Sequence, residues 1–83
     1  MMTTQNIFNT YPQILEKISS YYGWDKPTEQ AKWTIELMTK DGKTPWQAFA
    51  YLVEECLTHS KDRELDYLWF EALKTETNKV RAA

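Results

Sequence analysis

Apolar side chains recur along the chain in steps of three and four residues, the spacing of one face of an α-helix. Ile14, Leu15, Ile18, Tyr21 and Tyr22 form a first stripe, and Ala31, Thr34, Ile35 and Met38 a second. Trp46, Phe49, Leu52, Val53, Cys56 and Leu57 form a third, and Leu65, Leu68, Trp69, Ala72 and Leu73 a fourth. No segment alternates strictly between apolar and polar residues, so no strand is predicted. The pattern predicts an all-α fold, a small single-domain bundle of about four short helices near residues 10–22, 27–40, 45–58 and 62–77.

Local chemistry sets the boundaries. Thr44-Pro45-Trp46-Gln47 is the sharpest start signal: a threonine that can cap, a proline where a missing N–H costs nothing, and a glutamine to complete a capping box. Thr10-Tyr11-Pro12-Gln13 reads the same way, and Asp25 before Lys26-Pro27 is the expected cap of the second helix. Gly23 and Asp41-Gly42 are stops. No glycine or proline separates the last two stripes. Their phase does: continuing 46-49-53-56 would next use Ser60, Arg63 and Tyr67, whereas the apolar cluster begins at Leu65. A turn is therefore expected near His59-Ser60-Lys61, with Ser60 or Asp62 as cap; one long bent helix over 44–77 is the alternative. Residues 1–8 and 79–83 are expected to fray, leaving one helical domain over 1–83. The third helix carries no Lys or Arg and should be the most buried.

Some apolar residues fall off the stripes. At ~100° per residue, Trp33 and Leu37 point away from Ile35 on the second helix. Tyr67 and Phe70 point away from Leu65, Leu68 and Ala72 on the fourth, and Tyr51 does the same on the third. Glu29, Glu54, Glu55 and Asp66 would edge these faces. A helix apolar all round is usually an interior one, which competes with an interface as the explanation. Two such helices are hard to hide in 83 residues, since a short chain leaves much of its surface exposed. Aromatic residues rimmed by polar ones have the composition of a protein-binding hot spot.

Charge and candidate chemistry narrow the classes further. A net charge of -2 and a pI of about 5.3 fit neither a basic nucleic-acid module nor a polyanion mimic. The start lacks a signal peptide's basic and apolar regions, and one cysteine cannot make an internal disulfide, so a cytoplasmic setting is expected. Cys56 and His59, three apart, are a minimal nucleophile–base spacing; Cys56 lies within an apolar stripe, however, and reads as a small core hydrophobe. One cysteine and one histidine do not make a zinc site or a twofold Glu-x-x-His set. Two glycines do not make a phosphate-cradling loop. No catalytic residues, metal, cofactor, small-molecule substrate or membrane span are expected.

The expected function is a non-enzymatic protein-interaction module acting through Trp33, Leu37, Tyr67, Phe70 and Tyr51, on a protein partner or a second copy of itself. Size and exclusion suit an adaptor, a small subunit, or an inhibitor encoded by a phage or mobile element. The alternative is a helix-turn-helix-like regulator using the 27–58 helix pair, with Lys40 and Lys43 on phosphate. Its second helix begins with Trp46, Gln47 and Phe49 and continues to Glu54 and Glu55, which suits nucleic acid poorly.

Overall fold

In a computed structural model, which describes residues 2–82, five helices follow one another: α1 (Thr4–Thr10), α2 (Pro12–Tyr22), α3 (Pro27–Lys40), α4 (Pro45–Ser60) and α5 (Arg63–Ala82). The described residues contain no strand. The last four helices occupy the four expected segments, and the architecture is all-α throughout.

Much of the N-terminal segment expected to fray belongs to a helix, α1. Thr3 caps α1, its hydroxyl accepting the Asn6 backbone N–H at 3.1 Å while Asn6 Oδ1 accepts the Thr3 N–H at 3.3 Å. Ile7 and Phe8 are buried and Met2 packs partly against the core, so tertiary burial holds a helix too short to persist alone. At the other end, residues 79–82 continue α5, with Lys79 Nζ 3.2 Å from Glu76 Oε2; Ala83 and Met1 lie outside the described residues.

Two expected caps are also corrected. Thr10 does not cap α2, because it closes α1 and its hydroxyl donates to the Asn6 carbonyl at 2.7 Å; Tyr11 ends one helix and begins the next. Asp25 does not cap α3. Lys26 holds that position, and its N–H donates to Gln30 Oε1 at 2.7 Å.

Elsewhere the chain turns where its residues direct. Thr44 and Gln47 form the reciprocal box, at 3.1 and 2.9 Å. Gly23 closes α2 in the left-handed region at φ 71°. Between α4 and α5, Lys61 is left-handed at φ 53°, and Asp62 Oδ1 accepts the N–H groups of Glu64 and Leu65 at 3.0 and 3.1 Å. Lys17 Nζ on α2 lies 3.3 Å from Asp62 Oδ2, tying the corner to the bundle.

The core is one cluster. α4 gives it Ala48, Phe49, Leu52, Val53 and Cys56; α2 gives Ile14, Leu15 and Ile18; α3 gives Ala31 and Ile35; α5 gives Leu65, Trp69 and Ala72. Ser19, the one buried polar side chain among the described residues, donates to the Leu15 carbonyl at 2.6 Å. Among the described residues, α2 and α4 each touch all the other helices, whereas α5 packs on these two alone and α3 and α5 do not meet.

Candidate functional site

All five off-stripe residues stand at the surface. Trp33 is 64% exposed, Tyr67 63%, Phe70 62%, Tyr51 53% and Leu37 42%. Helical phase explains it: on each helix the positions that complete the core lie on the other face, so these side chains stay outside the core cluster. They are distributed over three helices, however. Trp33 and Leu37 share α3 while Tyr67 and Phe70 share α5, and those helices do not touch. Tyr51 lies on α4, which packs against both, and Lys43 Nζ sits 5.9 Å from its ring centroid in a cation–π contact.

Two further apolar residues are exposed although their stripes assigned them to the core. Leu73 extends the α5 face beyond Phe70, one turn on. It sits at the flank of its stripe, which an angular wheel could have signalled. Tyr21 also stays outside, its ring parallel to that of His59 at 6.4 Å and edge-on to Tyr22 at 4.9 Å. Of the acidic residues expected at the edges, Glu29, Glu54 and Asp66 are exposed. Glu55 is half-buried, and its Oε1 lies 3.0 Å from His59 Nε2.

Cys56 and His59 do not pair. The Cys56 sulfur has Ser60 Oγ as its polar neighbour at 3.7 Å, and burial pushes the thiol's pKa up, away from a reactive thiolate. Among the described residues, no group of three or more His, Cys, Asp or Glu is arranged to hold a metal ion. No helix among them is long and apolar enough to cross a membrane.

The start of α4 is committed to the fold. Trp46 stacks obliquely on Trp69 at 5.2 Å and lies 5.9 Å from both Phe49 and Tyr11, while the Gln47 amide is spent on its cap. Of the first two side chains that would reach base edges in a recognition helix, Trp46 is therefore turned to the bundle and Gln47 is held back on the Thr44 backbone. Lys40 and Lys43 are exposed, but no other basic side chain lies on the turn between α3 and α4.

No protein-family model, curated protein or solved structure matches the chain. The functional reading therefore rests on these side chains and their exposure.

Two tyrosines carry the clearest electrostatic signature. Burial, then the nearby Glu55 carboxylate, pushes the Tyr22 phenol up to about 12. Burial and a hydrogen bond to Glu76 raise Tyr11 further. Both shifts favour the neutral form in the folded state. The stabilisation is complete below the free phenol's ~10 and is lost as pH rises through about 12. In an alkaline titration followed by phenolate absorbance and circular dichroism, these phenols should ionise together with unfolding. Phenolate formation by Tyr22 well below that point, with the helices intact, would contradict the packing of Tyr22 on Trp24.

Proposed function

We propose that the chain is a small non-enzymatic protein-interaction module, whose outward aromatic residues on α3 and α5 engage a protein partner. The supporting observation is that Trp33, Tyr67 and Phe70 are each more than three-fifths exposed on faces turned away from a complete core. Large aromatic side chains contribute strongly to interfaces because they bury much area with few rotors to immobilise. Left in water, such faces favour aggregation, and monomeric soluble proteins rarely carry them without use. An adaptor, a small subunit or an inhibitor would each use such a surface.

The separation of the two faces makes the proposal specific. A partner that grips both must span α3 and α5; otherwise each face has its own partner. Light scattering after size exclusion, on the native chain and on Trp33→Ala and Phe70→Ala, separates self-association from hetero-association. Both variants should keep native helicity and melting temperature, because both side chains are largely in water. Each should weaken capture of its partner from the source cell by roughly thirtyfold, the effect of losing about 2 kcal/mol at an aromatic anchor. If both variants unfold, the side chains belong to the core and the proposal fails. It also fails if both stay folded and neither changes self-association or capture.

A further inference from the structure

A second feature, distinct from the exposed aromatic faces, is a groove of about 390 Å³ between the start of α2 and the middle of α5. Its walls are mainly apolar, built from Tyr11, Pro12, Ile14, Leu68 and Ala72. Its volume falls within the range of ligand-holding clefts. Its polar groups decide what could enter. The Tyr11 hydroxyl donates to Glu76, the Thr10 hydroxyl to the Asn6 carbonyl at 2.7 Å, and the Thr75 hydroxyl to the Glu71 carbonyl at 2.9 Å. All three hydroxyl protons are thus committed within the chain. Among the described residues, the Glu71 carboxylate and the Gln13 amide are the lining side chains with no hydrogen-bond or ion-pair partner. Glu71 is half-buried, and neither lysine nor arginine lines the groove.

We infer that this groove docks a segment of a partner protein in which a lysine or arginine is flanked by apolar side chains. The apolar walls take the aliphatic flanks and the stem of the basic residue, and its charged head meets Glu71. A carboxylate is acceptor-only, so it is matched by a group that carries N–H donors and positive charge. Gln13, with a donor and an acceptor, suits the partner's backbone. An acidic segment would set charge against Glu71, and an uncharged one would leave the carboxylate less solvated and unpaired.

The test uses the full chain, isotopically labelled, with capped tripeptides as probes: leucine–lysine–leucine against the same peptide with glutamate or norleucine at the centre. The lysine peptide should shift the amide resonances of Gln13, Ile14, Leu68, Glu71 and Ala72. It should bind roughly tenfold more tightly than the norleucine peptide, with the difference reduced by added salt. Glu71→Gln should remove that preference, and Thr75→Trp, which fills the groove from an exposed position, should abolish binding of every peptide with the helices intact. Equal binding of all three peptides, shifts that map elsewhere, or no binding would overturn the inference. So would hexylammonium shifting these resonances as strongly as the peptide, since that marks a small-amine site. Shifts of the same resonances on simple dilution would overturn it too, by showing the groove occupied by a second copy. The Trp33 and Phe70 variants should bind the lysine peptide as the native chain does, so this result stands or falls apart from the aromatic faces.

Discussion

Replacing Phe49 with alanine is expected to remove a large share of the chain's stability. Phe49 is fully buried near the middle of the bundle, edge-on to Trp69 at 6.1 Å and beside Trp46. Truncating a buried phenylalanine typically costs ~3–5 kcal/mol, as transfer energy lost plus the cavity left behind. A domain of this size has ~4–12 kcal/mol in all, from ~0.05–0.15 per residue. The cavity would also remove the support of both indoles, and neither can move in without leaving its own contacts. Urea unfolding followed by circular dichroism should move the midpoint far below that of the native chain. A cost under ~1 kcal/mol would mean that the aromatic cluster is not the centre of the fold.

The second large effect belongs to the N-terminus. Ile7 is fully buried and Phe8 nearly so, and α1 packs on α2, α3 and α4. Ile7→Ala and Phe8→Ala together should destabilise by at least ~3–5 kcal/mol, with less than the sum of the single effects because the two side chains belong to one core cluster. Thr3→Ala, which removes only the cap, should cost ~1 kcal/mol. Equal, small effects from all three changes in a thermal melt would restore the picture of a frayed end.

That contrast also marks the limit of what the amino-acid order reveals. The Thr44–Gln47 box, the left-handed Gly23 and the Asp62 cap are local, so each could be read from neighbouring residues. The turn at Lys61 carries no glycine, yet it was legible from the slip in apolar phase between Cys56 and Leu65. The surface residues were legible for the same reason, since a residue far from its stripe on the wheel has no core to enter. α1 was not legible. Its box uses asparagine in place of glutamine, its apolar content is one adjacent pair, and that pair is buried only once α2, α3 and α4 have assembled around it. Thr10 and Asp25 failed as caps through competition: one hydroxyl bonded backward, and Lys26 took the boundary from its neighbour. The groove beside Glu71 was invisible for a different reason, being formed by two segments more than fifty residues apart.

The tryptophans occupy contrasting surroundings, with Trp69 in the core, Trp46 and Trp24 half-buried, and Trp33 in solvent. The chain therefore carries two optical channels at once. Emission from Trp33 comes from a water-relaxed indole and responds to a quencher or to a neighbour arriving on α3. The emission and near-ultraviolet dichroism of the Trp46–Trp69 couple report whether the interior is intact. A docking event changes the first signal and leaves the second, whereas loss of structure changes both, so binding and unfolding can be separated in one cuvette without attaching a dye.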